Sequence, residues 1–171
     1  GVNRVEDLPV NIRGLVAEAG EAALTEVLNR HADVRMAREI DQVRGLTAFG
    51  WLSPTVAVAA ASRTLAGTNL AAHHRFLREA EALRLEFVQR LNRLHANKLA
   101  YRDDIQRSNN PEAERRTRVD PQNWSLLRNF TFVRATPSAR IASTIEPWLM
   151  LALWIFAALA ACLIAARRIA S

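Results

Sequence analysis

Four histidines are the residues here whose type could hold a metal: His31, His73, His74 and His95. Their spacing works against it. His73 and His74 are neighbours, which on a helix turns them about 100° apart. Neither an HExxH nor a His-x3-His pairing occurs to set two imidazoles on one face. The single cysteine, Cys162, leaves no internal disulfide and no cysteine-based metal spacing. The carboxylates lie on helical stretches with arginine neighbours, and there is no nucleophile elbow. Ser53 reads as a helix cap and Ser62 as a small packing residue. Gly67 stands without a glycine-rich phosphate loop around it, so nothing in the chain reads as an ATPase. These residues give no catalytic, metal or cofactor site, and the chain is expected not to be an enzyme.

Charge narrows the partners. The formal net charge is +6, and Lys98 is the one lysine, so the positive side is almost wholly arginine. A basic balance can serve nucleic acid or anionic lipid. The arginines are interspersed with glutamates along helical stretches, which reads as a solvated face. Arg115, Arg116 and Arg118 form a local run that reads as a solvated loop, and no nucleic-acid partner is expected.

The elements that position these side chains are organised around the end of the chain. Trp148 to Ala166, WLMLALWIFAALAACLIAA, carries no charge and no proline. A helix needs about 20 such residues to cross the hydrocarbon core, and it satisfies its own backbone there. Trp148 and Trp154 suit the interface, and Arg167 and Arg168 suit the cytoplasmic side. These four are the expected membrane anchors, on a span of about 147–167. The preceding polar region then lies outside the cell, and an upstream signal or membrane segment is expected. The chain thus reads as the C-terminal piece of a longer membrane protein.

Upstream, Asn11 caps a stripe of Ile12, Val16, Ala19, Ala23 and Val27, with Gly14 and Gly20 allowing close approach by a neighbour. Met36, Ile40 and Val43 either continue that helix or begin another. Leu46 to Ser62 is uncharged but broken at Gly50 and Ser53-Pro54, so each half is too short to span. A buried hairpin corner and a membrane-skimming loop around Trp51 both stay open, with Trp51, Leu52 and Pro54 as candidate contact residues. Ala66-Gly67-Thr68 reads as a helix stop followed by a new cap. The next helix carries Phe76, Ala80, Leu83, Phe87, Leu91 and Leu94 as a core stripe, with Arg75–Glu79, Glu81–Arg84 and Glu86–Arg90 on the rest. Residues 102–121 read as a polar loop or linker. Trp124, Phe130 and Phe132 could meet the membrane surface, and Ala139 to Ile145 is a short amphipathic approach to the span. The expected fold is all-α, an extracytoplasmic bundle or hairpin of long helices over residues 1–140. A membrane-approach segment and one C-terminal transmembrane helix fill 141–171.

LPVN at 8–11, WLSP at 51–54, SRTLAGTNLAAHHRFLREAEALR at 62–84 and the closing PWLMLALWIFAALAACLIAARR together resemble a bacterial family. They are similar to the C-terminal region of ABC type-2 permeases that carry an extracytoplasmic domain before the last transmembrane helix. The hallmarks are Leu52-Ser53-Pro54, Ala66-Gly67-Thr68, and His73 three residues before Phe76. Glu81-Ala82-Leu83 departs from the acidic-aromatic pair usual later in that helix. The resemblance implies an inner-membrane permease subunit that works with a separate cytoplasmic ATPase and a second permease copy or relative. It implies ATP-driven export, with the helical domain outside and the C-terminus inside, and it names no substrate. Two other classes remain open from the residues alone: a tail-anchored interaction protein with a cytoplasmic helical domain, and a membrane-anchored sensor or adaptor.

Overall fold

Asn11 begins the first helix as a cap should, its Oδ1 accepting from Arg13 N at 3.0 Å. In this computed structural model residues 4, 8–118, 121–124 and 130–170 are described, with backbone only at 123 and 124. Helix α1 runs Ile12–Ala48 without a break, so Met36, Ile40 and Val43 continue the first helix. Its 37 residues extend about 55 Å. A 3-10 turn, Phe49–Trp51, leads to α2, Pro54–Ala66. Pro54 stands at its first turn, where a missing N–H costs nothing. Ser53 occupies the cap position, yet its hydroxyl turns to Thr55 Oγ1 at 2.8 Å and bonds no backbone N–H.

Helix α2 stops at Gly67, whose φ of 71° is left-handed and unstrained only for glycine. Helix α3, Leu70–Lys98, follows. Its cap is Asn69, not Thr68: Asn69 Oδ1 accepts from Ala72 N at 3.0 Å. The segment expected to be a loop contains α4, Tyr101–Gln106, and α5, Pro111–Arg116. Asn110 and Pro111 are what start α5, the asparagine accepting from Glu112 N at 2.9 Å. After a 3-10 turn at Pro121–Trp124 come α6, Pro137–Ala142, and α7, Ile145–Ala170. The protein is all-α, with no strand among the described residues.

The chain divides into two compact units. The first takes Gly1–Asp33 and Leu77–Phe132, and the second Val34–Phe76 and Val133–Ser171, so α1 and α3 each contribute to both. In the first unit α1 and α3 run antiparallel across a polar seam. Asn11 N donates to Ala96 O at 2.7 Å. Gln89 Nε2 donates to Glu18 O at 3.0 Å, and Arg93 Nε to Glu18 Oε1 at 2.7 Å. Arg84 reaches Glu21 at 2.6 Å, Thr25 at 3.0 Å and its own-helix Glu81 at 2.8 Å.

The expected apolar stripe of α1 therefore does not form the seam. Val16 and Val27 are exposed, as are Leu15, Leu24 and Leu28 beside them. Asn11, Gly14 and Thr25 are buried instead. The stripe of α3 is half-buried from Ala80 to Leu94 and exposed at Phe76, so it is not a closed core.

Gly14 does allow close approach: a Cβ there would stand 2.6 Å from Ala96 Cα, a backbone atom that cannot step aside. Gly20 meets nothing within 4 Å, so the expected approach does not occur there. Gly14→Ala should destabilise the first unit by roughly 1–3 kcal/mol through overpacking. Gly20→Ala should stabilise it by roughly 0.5–1 kcal/mol through helix propensity. Chemical unfolding of the two variants checks the pair, and equal shifts would contradict this packing.

Candidate functional site

The second unit holds the corner residues Trp51, Leu52 and Pro54 and the expected anchors Trp148, Trp154, Arg167 and Arg168. Helix α7 is, among the described residues, the one helix long and apolar enough to cross a bilayer. Its 26 residues measure about 39 Å, more than the roughly 30 Å of hydrocarbon. Every residue from Ile155 to Ala170 is exposed, with Phe156 and Leu163 among them. A core helix of a water-soluble domain would be covered on most sides. This one is covered only along its first turns.

What covers those turns is α2 and the corner before it. At Gly50 the backbone comes so close to α7 that a Cβ would lie 2.6 Å from Met150 Sδ and 3.5 Å from Ala57 Cβ. Trp154 Nε1 donates to Gly50 O at 3.3 Å. At the other end of α2, Arg140 of α6 donates to Leu65 O at 3.0 Å. Helix α2 thus runs antiparallel to the start of α7, and its small buried residues Ala57 and Ala61 permit close packing. Trp154 lies six residues beyond Trp148, or about 9 Å along the helix. The corner is therefore level with the inside of the uncharged stretch, not with its edge.

The residues singled out from sequence fall into two places. Trp51, Leu52 and Pro54 sit together at the corner and are exposed, Leu52 at 73%. Phe49, 57% exposed, shares that corner and was missed as a contact residue. Trp148 is exposed near the start of α7, Trp154 is turned onto the corner, and Arg167 and Arg168 are exposed in its last turn. Phe130 and Phe132 are half-buried in the first unit, and the Trp124 side chain lies outside the described residues.

Two histidine–carboxylate pairs, each with one member buried, were not legible in the sequence, because their partners lie on different helices. In the second unit His74, 5% exposed, places Nε2 2.6 Å from Glu39 Oε2. That hydrogen bond, with Arg35 nearby, holds the Glu39 carboxyl below the usual range. His73 turns elsewhere, its ring 6.3 Å from that of His74. In the first unit Asp104, 2% exposed, accepts from His95 Nε2 at 2.9 Å and Asn11 Nδ2 at 3.4 Å. Arg13 stands 3.6 Å from the same oxygen. Burial pushes the Asp104 carboxyl up, but the bonds from His95 and Asn11 and the charge of Arg13 outweigh it and hold it below the ordinary range.

These pairs pin helices together and offer no nucleophile. Among the described residues no hydroxyl or thiol hydrogen-bonds either imidazole, and no three metal-ligating side chains converge. Arg116 is held by Asp103 through two bonds of 2.9 and 2.7 Å, and Arg118 by Glu114 at 3.0 Å. Two of the three arginines of the basic run are therefore paired locally.

Residues 1–133 match the model of a family described as a domain of unknown function (DUF3526). No curated protein and no solved structure matches the chain.

Asp104 makes a pH-dependent contribution that can be isolated. Its folded carboxyl ionises more readily than an unfolded one, so its stabilisation is complete above about pH 4 and is lost as pH falls through its lower folded value. Asp104→Asn should cost roughly 1–3 kcal/mol at neutral pH, where a buried charged acceptor is lost. The gap to the parent chain should close in acid. Unfolding curves at several pH values check this, and a gap that widens below pH 4 would refute it.

Proposed function

We propose that this chain, which belongs to the DUF3526 family, is part of the membrane-spanning permease subunit of an ATP-driven ABC exporter. The observation that carries the reading is that the chain leaves its two main apolar surfaces uncovered. One is α7 beyond Trp154; the other is the outer face of α1, where Leu15, Val16, Leu24, Val27 and Leu28 are exposed. Many large apolar side chains exposed on one element mark an interface. A lone span and an open helical domain suit one part of a larger membrane assembly. The order of Leu52-Ser53-Pro54, Ala66-Gly67-Thr68 and His73 to Phe76 supports placing that assembly among type-2 permeases.

In this reading α7 is the last helix of the permease, in a bacterial inner membrane, and Arg167 and Arg168 lie on the cytoplasmic side as the positive-inside preference favours. The helical domain is then extracytoplasmic and gates the exit or docks cargo or a partner. ATP is hydrolysed on a separate ATPase subunit, and a second permease copy or relative completes the pore. No step of the chemistry falls to this chain.

Purification of the protein from its own membrane tests the assignment: an ATPase subunit with a phosphate-binding loop should accompany it. Recovery without any nucleotide-hydrolysing partner overturns the permease reading and leaves a tail-anchored adaptor as the better account. Ser108→Cys in a Cys162→Ser background reports the side. An impermeant thiol reagent should label it on intact spheroplasts, and protection until lysis would place the domain in the cytoplasm. Trp51→Glu should reduce assembly or transport, and unchanged transport would remove the corner from the mechanism.

A further inference from the structure

From Gly45 to Ser62 the chain carries no charged residue, and Arg44 and Arg63 stand at the two ends of that stretch. The fold brings these ends together. Arg44 on α1 and Arg63 on α2 line one cavity of about 530 Å³ with Val43, Ala60, Thr64 and Thr68. No carboxylate is among its lining residues. Arg63 donates from Nε to Ala59 O at 3.1 Å, which leaves its terminal amino groups for another acceptor. Arg44 lies 3.6 Å from Asp41, both well exposed, an ion pair that water keeps weak.

Depth gives the cavity its meaning. The corner is docked at Met150 and Trp154, inside the uncharged part of α7, while Leu65 lies beside Arg140, ahead of it. Helix α2 thus crosses the level at which α7 becomes apolar. Along the helices Gly50 lies about 9 Å below Arg44, and Pro54 about 13 Å below Arg63. Half of a hydrocarbon core is about 15 Å. A hairpin with its tip among acyl chains therefore holds both guanidiniums at the phosphates, where a planar fork of donors matches phosphate oxygens.

We propose that the cavity between Arg44 and Arg63 binds the phosphate of an anionic phospholipid, with the lipid's chains against the uncharged hairpin. The proposal rests on α7 crossing the membrane. It assigns the exposed apolar corner to lipid and gives the two arginines a ligand.

The test uses the full chain in nanodiscs of phosphatidylcholine with a minor share of phosphatidylglycerol, followed by native mass spectrometry of retained lipid. The parent chain should retain phosphatidylglycerol preferentially. Arg44→Gln and Arg63→Gln should each lower that preference by about fivefold. Arg30→Gln, an exposed arginine paired with Glu26 in the other unit, should not. Equal retention of the two lipids, or an undiminished preference in the double variant R44Q/R63Q with helix content intact by circular dichroism, overturns the proposal. Displacement of the lipid by millimolar inorganic phosphate would make this a site for soluble phosphate and overturn the lipid assignment. A spin label at Leu159→Cys, in a Cys162→Ser background, reads the span separately. A water-accessible label overturns the membrane reading itself; a lipid-buried label with equal lipid retention overturns the cavity alone.

Discussion

A long helix that meets its neighbour through polar and small side chains has to turn its apolar stripe somewhere else, and α1 does so. Glu18, Glu21 and Thr25 face Gln89, Arg93 and Arg84 of α3 across bonds of 2.6–3.0 Å. Gly14 lets the backbones close at Ala96. Half-exposed polar pairs of this sort add little net stability compared with apolar packing, but they favour one register, because each long side chain meets its partner only when the helices are aligned this way. The seam therefore specifies how the helices align while leaving Leu15, Val16, Leu24, Val27 and Leu28 outward. Much of the apolar surface that a water-soluble domain would use on itself is held in reserve.

The histidine–carboxylate pairs follow the same rule at its most demanding. His74 is nearly sealed, and its partner Glu39 comes from the facing helix, so the bond between them ties α1 to α3 within the second unit. Asp104 does more in the first unit, gathering Asn11, Arg13 and His95 onto one oxygen. Its other oxygen is buried without a hydrogen-bond donor, with Arg107 3.9 Å away. The N-terminal cap of α1 is thereby joined to the end of α3 and to α4. A six-residue helix such as α4 is marginal in isolation, and this anchorage accounts for its persistence.

The sequence shows the elements more clearly than their contacts. Hydropathy locates α7, proline and glycine locate both ends of α2, and Asn11 locates the start of α1, because each signal is local. Helix α5 was also signalled locally, by Asn110-Pro111, but a polar composition reads as loop when burial is unknown. The side of α1 that faces its neighbour was not legible: periodicity marks an apolar stripe without saying whether protein, lipid or another subunit covers it. The corner residues Trp51, Leu52 and Pro54 could be named, whereas their depth depends on Gly50 meeting Met150 and Trp154 a hundred residues on. Pairs such as Glu39 with His74 leave no trace in spacing at all.

The outer face of α1 and the 45–62 corner both expose apolar side chains, and they differ in charge. On α1 the exposed leucines and valines are interrupted by Glu26, Arg30, Asp33 and Arg35, all reaching into water. A hydrophobic patch with a charged rim is the composition of a protein–protein contact. From Gly45 to Ser62 there is no such interruption, and Leu46, Leu52 and Val58 are all more than half exposed. Charge is absent from that hairpin until its two shoulders, where arginine appears on both limbs. A protein partner would leave such a tip exposed to water whenever it dissociated, at roughly 25 cal/mol for each Å² of apolar surface. In the proposed membrane setting acyl chains never leave it. In the proposed reading, the distribution of charge along α1 and α2 suits a protein partner on the outer face of the long helix and lipid at its turn.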